Sequence, residues 1–273
     1  MNEILGMFSY DFMVRAMIAG VLLAICAALV GAPLVLKRNS MIGDGLSHVG
    51  FGAFAIATVL GLAPVEFALP IVLLASFVIL RLGRNSKING DAAIALMSVS
   101  CLAIGVFVMS VVKGVGTDID SYLFGSILAV SWEQVVMSGA LVAVVVILYV
   151  LTYHKIFAIT FDEQFAKSIG VKTDLYNMIF AGLCSVVVVL GMRLVGALLI
   201  SGLIVFPTLT AMQIVKKFRS VVLLSVVLSV VAFVVGMVLS YLYATPTGAT
   251  VIIVNLGVFG VCKLLGGVVH NPY

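Results

Sequence analysis

Charge is scarce in this chain. Of its 273 residues only 10% are Asp, Glu, Lys or Arg, against about 25% in soluble globular domains. That shortage argues against a water-soluble enzyme, a nucleic-acid binder and a disordered regulator. Cysteine is also sparse. Cys26, Cys101, Cys184 and Cys262 all lie inside apolar runs and none forms a C-x-x-C pair. They read as small buried hydrophobes, with no disulfide framework. No G-x-x-x-x-G-K-[ST] phosphate loop occurs, so any ATP that drives this chain is hydrolysed on a separate subunit. The three histidines, His48, His154 and His270, are scattered. No H-E-x-x-H or Ser/His/Asp arrangement stands out, and an intramembrane hydrolase is poorly supported. The N-terminus carries Glu3 and Asp11 where a cleavable signal peptide would have a basic stretch.

Apolar residues fill the space that charge leaves. They make up 63% of the chain, and the mean hydropathy is +1.32. They fall in runs of about 20, the length that crosses a bilayer core as a helix. The short alternating segments of a membrane β-barrel are absent. The expected fold is all-α, a polytopic bundle of about eight or nine transmembrane helices forming one membrane domain over 1–273. Nine candidate spans are 13–36, 42–62, 64–81, 91–112, 132–152, 175–192, 194–215, 221–243 and 248–266. The seventh is interrupted by Gly196, Gly202 and Pro207, and eight spans result if 175–215 folds differently. Such breaks are tolerated where backbone faces protein or a cavity.

Basic residues give the orientation. Lys37, Arg38, Arg81, Arg84, Lys87, Lys155, Lys167, Lys172, Lys216, Lys217, Arg219 and Lys263 fall on one side of the spans, and only Arg15, Lys113 and Arg193 on the other. The positive-inside rule makes the first side cytoplasmic. The N-terminus is then outside and the C-terminus inside, in a multi-pass membrane protein. Glu3, Asp11, Glu66, Asp118, Asp120 and Glu133 fall on the outer side. They read as ordinary solvated loop charge, or as an acidic face that attracts cations or docks a basic partner.

The segment Met41-Ile42-Gly43-Asp44-Gly45-Leu46-Ser47-His48-Val49-Gly50 opens the second span. Asp44 and His48 are four apart, so a helix stacks them on one face. A helix entering at Ser40 carries Asp44 ~6 Å and His48 ~12 Å into the membrane, from a rise of ~1.5 Å per residue. Ionisable groups at such depth are expensive and by default mark a pathway. Three readings compete: a transient divalent-metal site, a proton relay, and a structural Asp–His pair. An N/O donor set favours zinc or manganese over Cu(I). Two donors are too few for a tight site, which suits a carrier that must release its ion. Gly43, Gly45, Gly50 and Gly52 flank the pair and permit close helix packing.

Between the fifth and sixth spans, Phe161, Phe165 and Ile169 recur at i, i+4 and i+8, with Gly170 placed to end a helix. A short amphipathic cytoplasmic helix either lies on lipid or docks a partner.

Together these segments resemble the zinc and manganese permease family of bacterial ATP-binding-cassette importers (the ABC-3 type). Gly43-Asp44-Gly45-Leu46-Ser47-His48 is similar to that family's G-D-x-[LI]-[SA]-H segment, and it follows the basic stop Leu34-Val35-Leu36-Lys37-Arg38. Tyr122 to Leu128 resembles its L-F-G-x-x-L loop, and Asp162 to Gly170 its D-x-x-x-A-x-x-x-G coupling segment. Val195 to Leu199, with Pro207 to Ala211, resembles its V-G-x-L-L…P-x-x-T-A block, departing at Thr208-Leu209 where small residues are common.

The resemblance implies an ABC importer permease fold, a permease homodimer, two cytoplasmic ATPase subunits and an external metal-binding protein. It implies that Asp44 and His48 carry the transported ion, with no resident cofactor and with ATP on the partner subunit; the His48 imidazole slightly favours zinc over manganese as that ion. By the same implication Asp162, Glu163, Phe165, Ala166 and Gly170 form the ATPase-coupling element, within about 160–174. Gly43, Gly45, Ser47, Gly196 and Pro207 then serve helix packing or gating. If the pathway runs along the dimer interface, a cysteine replacing Ser47 is expected to cross-link across it. The alternatives are a channel or proton-coupled transporter using Asp44 and His48 as a relay, and an ATP-driven permease for a metal chelate or vitamin.

Overall fold

The computed structural model describes residues 6–7, 9–85, 90–112, 125 and 130–269, and the described residues are helical with short connections. The helices are α1 (Asp11–Leu36), α2 (Met41–Val59), α3 (Pro64–Asn85), α4 (Gly90–Val111), α5 (Trp132–Phe161), α6 (Glu163–Ser168), α7 (Thr173–Val195), α8 (Ala197–Ile214), α9 (Phe218–Tyr243) and α10 (Thr247–Val269). All but α6 are long and apolar enough to cross a membrane, which gives nine spans among the described residues. Glu3, Lys87, Lys113, Asp118, Asp120, His270 and all of the Tyr122–Leu128 loop except Gly125 lie outside the described residues.

Two spans differ from the sequence expectation. The fifth runs nine residues past the expected end and carries His154 and Lys155 on its last turns. Those charges do not stop the helix; Asp162 does, by adopting extended backbone. The seventh is one continuous helix with Pro207 inside it. The break lies at Gly196, the one residue joining α7 to α8, with φ of 89°. An L side chain is disfavoured there, because its Cβ crowds the carbonyl.

The bundle has a centre and a rim. Over an 18-residue stretch, 72% of the residues are buried in α1 and in α2, against 28% in α3, 22% in α4 and 17% in α10. The central helix α2 is packed by α3, α4, α7 and α8. Small residues let it sit close: a Cβ at Gly52 would lie 2.6 Å from the Cys101 carbonyl oxygen of α4, and one at Gly45 would lie 2.5 Å from Ile94 Cγ2. Hydroxyls tie the layers together. Ser229 on α9 donates to the Ala24 carbonyl of α1 at 3.0 Å, and Ser185 on α7 reaches the Val72 carbonyl of α3 at 3.4 Å. In lipid, such packing and hydrogen bonds hold helices together, since the tails are as apolar as the side chains.

Candidate metal site and coupling face

Within residues 41–55 of α2, only Met41, Asp44 and His48 are not buried. Their spacing of three and four places them on one stripe of the helix. The stripe is the only part of that segment the protein leaves uncovered. The Asp44 side chain is 38% exposed and that of His48 26%. Asp44 Oδ2 and His48 Nε2 are 3.6 Å apart. That exceeds a good hydrogen bond. It is close to the ~3.4 Å ligand–ligand edge of a tetrahedral site with bonds of ~2.05 Å. His48 Nδ1 is turned inward, buried and without a hydrogen-bond partner. The outward-facing donors are therefore Nε2 and the carboxylate, whose place in the first turn of α2 is favoured by the helix N-terminus. No cluster of three or more His, Cys, Asp or Glu with metal-binding geometry occurs among the described residues. One chain thus offers two donors on an open face.

The flanking residues divide. Gly43 packs on Ile204 of α8, with a built Cβ 3.0 Å from Ile204 Cδ1. Gly43 and Gly45 are in close contact with α8 and α4, and Ser47 is buried. Ser47 is 1% exposed, and its hydroxyl donates to the Asp44 carbonyl at 2.7 Å. A cysteine at Ser47 is therefore ill placed to report on a second copy, and Met41, 53% exposed on the Asp44 stripe, is the position to use. Gly196 and Pro207 lie at and beyond the α7–α8 joint, away from Asp44 in sequence. Pro207 is buried inside α8 beside the fully buried Thr208. Gly125 lies against the backbone of Val195 and Gly196, where a Cβ would collide.

The segment from Asp162 to Gly170, the expected coupling element, is a capped single turn. Asp162 ends α5 and begins α6, and its Oδ1 accepts from the Phe165 N–H at 2.8 Å. Phe161 therefore belongs to α5, where it meets Phe157 and Phe218, and does not continue the α6 face as the i, i+4, i+8 pattern anticipates. Gly170 closes the turn at φ 84°, and the Val171 N–H reaches back to the Ala166 carbonyl at 3.0 Å. Ala166 is fully buried, whereas Phe165 and Ile169 stand exposed on the outer side. Glu163 does not share that outer face. It turns inward to Lys37 and Asn177, two residues the sequence reading did not join to it. Lys37 is 126 positions away, and no local pattern marks such a pair.

A nine-span bundle, with an ionisable pair on the open stripe of its central helix and a capped turn between two spans, has the fold of an ABC importer permease. The chain belongs to the ABC 3 transport family, whose model matches residues 9–265; it is a multi-pass transport permease. It is similar to the manganese import system permease protein ScaB of Streptococcus gordonii, 29% identical over 93% of this chain and 91% of that one. The high-affinity zinc uptake system membrane protein ZnuB of Haemophilus influenzae is 25% identical over 92% of this chain and 96% of its own. Among solved structures, PsaBC from Streptococcus pneumoniae in complex with a Fab superposes with a TM-score of 0.86, at 28% identity over 99% of both chains.

Proposed function

We propose that this chain is the membrane subunit of an ATP-driven importer of a divalent transition metal, with Asp44 and His48 as the transient translocation site. The observation that carries the reading is the stripe on α2: residues 41–55 are buried except for Met41 and this donor pair, 3.6 Å apart. A second copy of the chain facing the stripe brings the donors to two carboxylates and two imidazoles. That set is enough for a divalent ion and loose enough to release it. The permease is a homodimer in this reading. Two ATPase subunits dock on the cytoplasmic side at Phe165 and Ile169, in the coupling element from Asp162 to Gly170, and an external binding protein delivers the ion. The N-terminus lies outside and the C-terminus in the cytoplasm, as the distribution of Lys and Arg supports. ATP binding draws the ATPases together and opens the route outward; hydrolysis returns it inward. The imidazole donors favour zinc. Manganese is the second reading, supported by the likeness to ScaB.

The test is uptake of zinc and of manganese, each competed by the other, in cells carrying the complete system. Replacing Asp44 by Asn together with His48 by Ala is expected to lower uptake at least tenfold while the complex still assembles and hydrolyses ATP. The competition names the metal. Unchanged uptake of both metals overturns the site.

A further inference from the structure

Three polar side chains close a triangle at the cytoplasmic end of the bundle. Lys37 Nζ lies 3.2 Å from Glu163 Oε2 and donates to Asn177 Oδ1 at 3.1 Å. The Asn177 Nδ2 group donates to Glu163 Oε1 at 3.1 Å. Each corner belongs to a different element. Lys37 is the C-cap of α1, Glu163 opens α6, and Asn177 lies in the second turn of α7. The Lys37 and Glu163 side chains are 19% and 31% exposed, so solvent screens this pair less than a surface one. Lys167 adds a looser contact to the same carboxylate at 3.8 Å.

Lys37 is tied in turn to the donor helix. Arg38 takes the left-handed conformation, φ 61°, and the chain there is held by Arg38 N–H to Val35 O at 3.0 Å and Asn39 N–H to Leu34 O at 2.8 Å. That pair of bonds is a Schellman closure, which makes the corner stiff. The Ile42 N–H then bonds the Asn39 carbonyl at 3.1 Å, and Asp44 follows in the first turn of α2. A hydrogen-bonded corner thus connects Lys37 to the first turn of α2, where Asp44 lies. A cleft of about 490 Å³, lined in part by Lys37, Arg38, Asn39, Asp91, Glu163 and Asn177, opens beside the corner.

We propose that the Lys37–Glu163–Asn177 triangle is the linkage that carries motion of α6 to the α1–α2 corner, and so to the Asp44–His48 stripe. The inference rests on the reading of α6 as the ATPase-docking element. It divides the labour of α6. Phe165 and Ile169 face the ATPase, and Glu163 faces the permease. Lys37, Glu163 and Asn177 are positioning residues that do not touch the ion. A charge-exchanged pair keeps the triangle, since the Asn177 amide can rotate by half a turn and offer its oxygen to a lysine at 163 and its N–H to a glutamate at 37.

The experiment uses the complete permease–ATPase complex in proteoliposomes. A cysteine replaces Met41 on the open stripe, with Cys101 and Cys262 changed to serine, and its rate of maleimide labelling is read with and without ATP, alongside ATP hydrolysis and metal import. In the native background ATP is expected to change labelling at least threefold. Lys37→Met and Glu163→Gln are each expected to abolish that change and to lower metal imported per ATP about tenfold, with hydrolysis held within twofold in Lys37→Met. The exchange Lys37→Glu with Glu163→Lys is expected to restore at least half of both. Labelling that still follows ATP in Lys37→Met, or an exchanged pair no better than either single variant, overturns the linkage. The metal reading fails separately: the native complex would then import neither zinc nor manganese while its labelling still followed ATP.

Discussion

The helices α2 and α4 pack against each other over much of their length, yet they solve opposite problems. In α2, 72% of an 18-residue stretch is buried, with a mean hydropathy of 1.2; in α4 only 22% is buried, with a mean hydropathy of 2.4. The less apolar helix is the one inside. In water the order would be reversed, because burial there is driven by removing apolar surface from solvent. In a bilayer the lipid already accepts apolar side chains such as Leu96, Val99 and Phe107, which α4 turns outward. The interior is reserved for what lipid rejects: close backbone contact between small residues, hydroxyls, and an ionisable pair. Low hydropathy accompanies burial in α2, but it does not sort the spans by itself, since α1 is 72% buried at a mean hydropathy of 2.5 and α10 only 17% buried at 1.7.

Substitution at the two surfaces breaks that comparison most directly. Gly52→Leu on α2 drives a side chain into the Cys101 carbonyl, where even a Cβ would approach to 2.6 Å. It is expected to cost at least ~3 kcal/mol, at the upper end of overpacking effects. Phe107→Ala on the outer face of α4 is expected to change stability by under about 0.5 kcal/mol, since lipid fills the space. Thermal unfolding of the two variants in detergent, with lipid present, measures both. Equal losses would mean that α4 is as enclosed as α2.

Cross-linking sharpens the comparison within α2 itself. A cysteine at Met41 is expected to form a disulfide with its counterpart in a second copy, in at least tenfold higher yield than one at Ser47. Met41 lies on the open stripe and Ser47 is buried behind it. Equal yields would place the dimer contact elsewhere and remove the second pair of donors from the proposed route.

The smallest expected effect compares the two ends of this helix pair. The turn after α1 puts Arg38 in the left-handed region at φ 61°, and the turn after α2 puts Gly61 there at φ 67°. Arg38→Gly relieves a penalty of roughly 1–2 kcal/mol but adds about 0.4–1 kcal/mol of unfolded-state entropy. A gain of about 0.5 kcal/mol is expected. Gly61→Ala, with open space around its Cβ, is expected to lose about 0.5 kcal/mol, from the same two effects reversed. Denaturation of each variant checks the sign. A stabilised Gly61→Ala would contradict the backbone argument.

Much of this molecule was legible before its structure. Apolar length alone locates nine spans, since a helix must cross a fixed thickness, and the observed helices keep those positions with shifts at their ends. The Asp44–His48 pair was legible for the same reason: ionisable residues inside an apolar run stand out, and four-residue spacing places them together. The α5–α6 boundary was harder. The spacing of Phe161, Phe165 and Ile169 suits one continuous helix, and Asp162 breaks it by capping α6 with its own carboxylate. Gly196 was visible as an interruption, but only its backbone angle shows that it is a joint between two helices.

Length, hydropathy and local spacing by themselves determined that this chain is a helical membrane protein of eight or nine crossings, and which helix carries the Asp44–His48 pair. Each of these depends on residues within a turn or a span of one another. The tertiary structure alone decided which faces are closed. Ser47 is hidden while Met41, one turn before Gly45, stands open, because α3, α4, α7 and α8 pack on α2 and none of the described residues covers the Met41–Asp44–His48 stripe. It also decided that Glu163 turns to Lys37 and Asn177. A carboxylate chooses among cations by distance in space, and the fold brings the end of α1 beside the start of α6 across 126 residues of chain.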